Sequence, residues 1–235
     1  NHFVRQMDFQ AAQNPDFFIA NSQETALRIQ KFYKRKSVVI NPPIKIYDSA
    51  QTFFDQLNKK TLADFTKQKT TSYYLYVNRL ALAKHPELAV QAATNLKIPL
   101  KVVGSGAMLE NLKKIAGETI EFLGAVNDQR LIELYKNAQA LIYPVEDEDF
   151  GMVPIEAMAF GTPVIAHFSG GPKETIEAGK TGVFFQDLTV ESLIAAIQNF
   201  QQNFRVDVLK IHQSTQVYSP LMFAKKIKFL LGLNS

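Results

Sequence analysis

The stretch Gln139–Ala166, QALIYPVEDEDFGMVPIEAMAFGTPVIA, decides how the rest of the chain is read. It opens on a short apolar run (139–144), crosses an acidic loop to Gly151, continues as an apolar helical segment (MVPIEAMAF), and after Gly161 returns to a second short run, PVIA (163–166). Strand, helix, strand at this spacing is the repeating unit of a parallel sheet. The loop carries four adjacent carboxylates, Glu146, Asp147, Glu148 and Asp149. A negative side chain suits a helix N-terminus, where the first N–H groups are unpaired and the dipole is positive. One carboxylate would serve that purpose, so the others need a different explanation.

The same alternation extends in both directions. YYLYVN (73–78), PLKVVG (99–104), TIEFLG (119–124) and GVFF (182–185) read as four more strands. Between the strands lie the helical segments PELAVQAATNL, AMLENLKKIA, NDQRLIELYKNA and PKETIEA. Together they predict an α/β fold, a Rossmann-like parallel sheet with helices on both faces. Upstream, FFIA (17–20) and SVVI (37–40) flank an amphipathic stretch capped by Ser22, and Asn41-Pro42-Pro43 ends the regular structure. Residues 44–72 are polar and weakly periodic, which predicts a boundary with one helix. PLMFAKKIKFLLGL (220–233) has the spacing of a closing amphipathic helix.

Composition excludes several classes. With 46% hydrophobic and 20% charged residues in 235, the chain can bury a sizeable core. The absence of cysteine rules out disulfides and thiolate metal sites and leaves the redox compartment open. No apolar run reaches bilayer-spanning length, and no signal peptide is visible. A net charge of +4 is compatible with a phosphate-bearing partner, and no nucleic-acid partner is expected. NHFVRQMDF at the start reads as the middle of a helix, so the chain is expected to belong to a longer polypeptide.

In a doubly wound sheet, ligands bind beyond the carboxyl ends of the strands. The residues there are Arg79 and Lys84 after the strand at 73–78, Gly104-Ser105-Gly106 after the next, Gly124, the acidic loop, and Gly170, Gly171 and Glu174 after PVIA. Cations and glycine backbone at helix starts suit a diphosphate. Ionised carboxylates accept hydrogen bonds only, which suits the hydroxyls of sugars and riboses. Simpler readings stand beside these. The acidic run can be a solvated loop, Arg79 and Lys84 can be surface cations, and Gly104–Gly106, with Leu109 where a dinucleotide fingerprint has glycine, can be a tight turn. His85 and His167 have no second ligand at metal spacing, and no metal site is assigned.

The segment EDFGMVPIEAMAFGTPVIA (148–166) resembles the signature of retaining glycosyltransferase family 4, of the GT-B fold. The two glutamates of that family's E-x7-E motif fall on Glu148 and Glu156. RLALAK matches its Arg and Lys pair, and VVGSG, IEFLGAV, LYKNAQALIYP and GKTGVFF follow in the family's order. The resemblance covers about residues 73–200. The nearest likeness in wording is to bacterial mannosyltransferases of surface-polysaccharide synthesis. One departure is Asn78, where the family usually has glycine before the Arg.

The resemblance implies hexosyl, by likeness mannosyl, transfer from a nucleotide-sugar such as GDP-mannose to a glycan or lipid-linked acceptor, with the nucleotide-sugar as substrate and no cofactor or metal. Glu148, Arg79 and Lys84 would be the catalytic group: Glu148 on the sugar hydroxyls, the two cations on the leaving diphosphate. Gly104, Phe122, Gly124, Val126, Phe150, Gly151, Met152, Val153 and Glu156 would bind the donor. Glu156 would hold the ribose, and Phe122–Gly124 with Val126 would edge the base pocket. Residues 1–46 would be the tail of a second, acceptor-side Rossmann-like domain, 47–72 the linker, 73–217 the donor domain, and 218–235 a helix packing back on the acceptor side. The expected location is cytoplasmic, at the inner face of the membrane, with peripheral association through the acceptor-side domain. The chain alone is expected to bind donor without useful transfer. A nucleotide-sugar-binding module without transfer activity and an epimerase of the same fold remain open alternatives.

Overall fold

The computed structural model describes residues 2–69 and 72–233. The chain begins with α1 (His2–Ala11), β1 (Phe18–Ala20), α2 (Gln23–Tyr33) and β2 (Ser37–Val39), and β1 and β2 pair in parallel. Two helices follow, α3 (Tyr47–Asp55) and α4 (Lys59–Lys69). The main sheet then alternates with helices: β3 (Tyr74–Val77), α5 (Pro86–Leu96), β4 (Leu100–Val103), α6 (Leu109–Ile115), β5 (Ile120–Gly124), α7 (Asp128–Asn137), β6 (Ala140–Tyr143), α8 (Met152–Ala159), β7 (Val164–His167), α9 (Pro172–Thr175) and β8 (Gly182–Phe185). The chain closes with α10 (Val190–Asn203), α11 (Val208–Ser214) and α12 (Pro220–Leu230).

The six strands are parallel in the order β5-β4-β3-β6-β7-β8. The chain therefore builds outward from β3 in one direction and then, from β6, in the other. The crevice between the ends of β3 and β6 is the topological switch point, where open α/β sheets bind ligands. Strand alternation divides the interior into two cores. Leu75, Leu141, Tyr143, Val164 and Ala166 meet α3, α7, α8 and α11 on one face. Tyr74, Tyr76, Ala140, Ile142 and Ile165 meet α5, α6 and α10 on the other. Because both faces are covered, β6 and β7 are buried at every position, which explains their continuous apolar character.

Residues 44–72 differ from the sequence expectation. The described residues there form two helices, α3 and α4, and Tyr47, Ala50 and Phe54 of α3 are buried. Lys69, at the end of α4, is fully buried, and its Nζ donates to Tyr135 O (3.0 Å), to Ala138 O (3.3 Å) and to Thr162 Oγ1. The lysine serves as a C-terminal cap for α7, where free carbonyls need donors. Burial pushes its pKa well down. A polar composition concealed this packing because the stem of a lysine is apolar and only its tip needs a partner. Among the described residues no helix is long and apolar enough to cross a membrane.

Candidate functional site

A cleft of about 250 Å³ opens at the switch point. Asn78 and Lys84 after β3, Tyr143 at the end of β6, Glu148 on the acidic loop, and Gly151 and Met152 at the start of α8 contribute to its wall. Asn21 and Pro42 line it from the N-terminal side. Gly151 takes φ 87° at the N-cap of α8, and no side chain caps the helix. The first N–H groups of α8 therefore lack a side-chain partner beside the cleft, as an anion site requires.

The acidic loop answers its own question by alternation. Glu148 points toward the cleft, where its Oε2 accepts from Lys84 Nζ at 2.5 Å and from the Tyr143 hydroxyl at 3.1 Å. Asp147 and Asp149, one residue to each side, face α2 instead. Arg28 donates to Asp149 Oδ1 at 2.7 Å and to Asp147 O at 3.2 Å. Ser22, the buried N-cap of α2, donates to Asp149 O at 2.5 Å. The loop is fastened from behind by Gly171 N to Glu148 O (2.8 Å) and Asp147 N to Ser169 Oγ (2.9 Å). Gly170 has to be glycine: a Cβ there would lie 2.2 Å from Glu148 O at φ 59°. The four carboxylates are thus not one hydroxyl-binding cluster. One enters the cleft and two join the loop to α2. Glu174 also leaves the expected rim, accepting from Gln23 N and Glu24 N at 2.9 and 2.7 Å at the start of α2.

The other expected residues fall in two groups. Phe150, Gly151, Met152 and Val153 line the cleft with Lys84 and Glu148. Arg79 is exposed just outside, and its guanidinium has no partner among the described residues. Glu156 lies about one turn further along α8, outside the cleft lining, where the Tyr135 hydroxyl donates to its Oε2 at 3.1 Å. Burial pushes its pKa up, with Tyr135 acting in the opposite sense. Gly104 is not among the residues lining the cleft; a Cβ there would meet Asn78 O at 1.8 Å, so glycine lets β3 and β4 end side by side. Gly124 has open space around it at φ 66°, and Val126 packs on the same core as α8. The side chain of Phe122 belongs to the opposite core, because it precedes Leu123 by one strand residue. Only its backbone can share an edge with Val126. His85 meets Glu87 (3.2 Å), and His167 Nε2 meets Gln186 O (2.9 Å).

Residues 58–205 match the family described as glycosyl transferases group 1. The chain belongs to that family. The human alpha-1,3/1,6-mannosyltransferase is 31% identical over 71% of this chain, covering 45% of its own length. The D-inositol 3-phosphate glycosyltransferase of Geodermatophilus obscurus is 27% identical over 80% of this chain and 46% of its own. The chain thus spans about half the length of these relatives. Among solved structures, sucrose-phosphate synthase from Thermosynechococcus elongatus superposes with a TM-score of 0.79 at 22% identity, over 99% of this chain and 61% of that one. The fold is that of the C-terminal half of a GT-B glycosyltransferase.

In and around this cleft, sequence reasoning missed Tyr143, Tyr135, Ser22 and Arg28. Tyr143 stands in the expected strand at 139–144 with no role of its own; its ring is core, and only the hydroxyl reaches Glu148. The available signal was its position as the last residue of a strand whose following loop carries the acidic run.

Proposed function

We propose that the chain is the donor-binding half of a retaining glycosyltransferase. It would move a hexosyl group, mannosyl in the first instance, from a nucleotide-diphosphate sugar to a glycan or lipid-linked acceptor. The observation that carries this reading is the meeting of Lys84 and Glu148 at 2.5 Å beside the uncapped start of α8. A nucleotide-sugar needs positive charge for its diphosphate and acceptor oxygens for its sugar hydroxyls, and here the two are adjacent. Lys84, Arg79 and the α8 N–H groups would stabilise the negative charge that grows on the leaving diphosphate. Glu148 would accept from sugar hydroxyls and Glu156 from the ribose, with the base along Gly124–Val126. Positive charge supplied this way needs no metal ion. The mannosyl preference follows the activity for which the human relative is named.

In the same reading, residues 1–46 belong to an acceptor-side domain, 47–72 join it to the donor domain at 73–217, and 218–235 pack back on the acceptor side. The exposure of Leu221 (64%) and Phe229 (88%) on α12, which buries none of its residues, fits such a role. The chain alone would bind donor but transfer slowly, because aligning both reactants can remove several kcal/mol of the barrier. With a lipid-linked acceptor the enzyme would work at the cytoplasmic face of a membrane.

The test compares ligands with and without phosphate. Charge-assisted bonds to phosphate are worth about 1.5–3 kcal/mol each, so Lys84→Ala and Arg79→Ala should each weaken nucleoside diphosphate binding by about tenfold or more. Nucleoside binding should stay constant in the same calorimetric titrations. Equal losses for both ligands would remove the assignment.

A further inference from the structure

Glu148 must hold one oxygen toward the cleft from a loop without regular secondary structure. Two donors reach the same oxygen, Oε2: the ammonium of Lys84 and the hydroxyl of Tyr143. Oε1 has no hydrogen-bond partner among the described residues and is the oxygen left for a ligand. The two donors differ in how firmly they are held. Lys84 ends a single 3₁₀ turn (Leu82–Lys84) with its side chain 25% exposed on four rotatable bonds. A diphosphate in the cleft would compete for its charge. Tyr143 is 2% exposed and ends β6, which is paired with β3 on one side and β7 on the other. With two side-chain torsions and a ring embedded in the core, it stays in place when a ligand enters.

The phenol is also a dependable donor. Burial first, and the adjacent Glu148 carboxylate second, push its pKa up, so it keeps its proton at neutral pH. Asn78, on the neighbouring strand end, acts on the same hydroxyl in the opposite sense.

We infer that Tyr143 is a positioning residue: it holds Glu148 in the orientation that reads the donor sugar's hydroxyls once Lys84 has turned to the diphosphate. The inference rests on the donor-binding reading above. It separates two functions that the Lys84–Glu148 contact makes look like one ion pair. Lys84 would serve the phosphate and Tyr143, through Glu148, the sugar, with Glu148 keeping the Tyr143 bond after Lys84 has left it.

The experiment uses the full polypeptide, with GDP and GDP-mannose as one ligand pair and UDP and UDP-glucose as the other. Tyr143→Phe keeps the ring, and its melting temperature is recorded beside each titration. The expected result is diphosphate affinity within about twofold of wild type, while the extra affinity of the nucleotide-sugar over its diphosphate falls about three- to tenfold, the loss of one hydrogen bond. In a Glu148→Ala background, Tyr143→Phe should change neither ligand further, because its effect passes through that carboxylate. Additive losses in the double variant, or equal losses for diphosphate and nucleotide-sugar, would overturn the inference. If wild type binds neither diphosphate, the donor reading itself fails and this inference falls with it, a result distinct from the other two.

Discussion

The chain contains two parallel sheets that resemble one another in sequence and differ in environment. In the six-stranded sheet, ALIY and VIAH are buried at every residue. In the two-stranded sheet, FIA and SVV are as apolar, yet Ile19 is 43% and Val38 45% exposed. The helix before them, α1, buries none of its residues. Apolar composition makes a strand in both places, but only layers of helices above and below bury it. The first region therefore meets the loop that carries Glu148 through polar, directional contacts: Ser22 and Arg28 on the loop itself, and Glu174 at the start of α2.

The comparison breaks most readily in the cores. Leu141→Ala, at the centre of β6 with no exposed surface, should cost about 2–5 kcal/mol in urea unfolding. Val38→Ala should cost about 0.5 kcal/mol or less. Similar losses at both positions would mean that the two-stranded sheet is buried as firmly as the six-stranded one.

A smaller effect sharpens the account of how the two regions join. Ser22→Ala removes an N-cap bond to Thr25 N (2.9 Å) and the bond to Asp149 O. A loss of about 1–2 kcal/mol is expected, together with faster amide exchange at residues 147–149. If exchange quickens only in α2, Ser22 is a helix cap and nothing more.

The smallest effect has the opposite sign. Glu156 is the polar misfit of the α8 core, its pKa raised by burial. A carboxyl whose folded pKa lies above its unfolded value binds its proton first in the fold. Its stabilising contribution is therefore present in acid and is lost as pH rises through the folded pKa. Glu156→Gln, which can still accept from Tyr135, should melt slightly above wild type at pH 7. That advantage should close as pH falls toward the ordinary glutamate range near 4.3. A variant that is less stable at pH 7 would show that the Tyr135 bond outweighs the burial of charge.

Much of the fold was legible because its signals are local. All six strands of the main sheet and the helix Pro86–Leu96 lie where alternation and Gly/Pro punctuation put them. Between β2 and β3 one helix was expected and two formed, since a buried lysine and scattered aromatics show no clean period until α7 and α8 cover them. Of the candidate site, Lys84 and Glu148 come together as spacing after strand ends implies, whereas Glu174 and the side chain of Phe122 do not join them.

By itself the sequence determined the parallel α/β architecture, the strand ends that line the cleft and the family to which the chain belongs, because period, glycine and motif spacing act over a few residues. The tertiary structure alone decided the strand order that opens a crevice between β3 and β6. It alone divided one acidic run between Lys84 on one side and Arg28 on the other. Those outcomes depend on contacts between residues 64 and 121 positions apart, and no local pattern in the chain encodes which partner a carboxylate will meet.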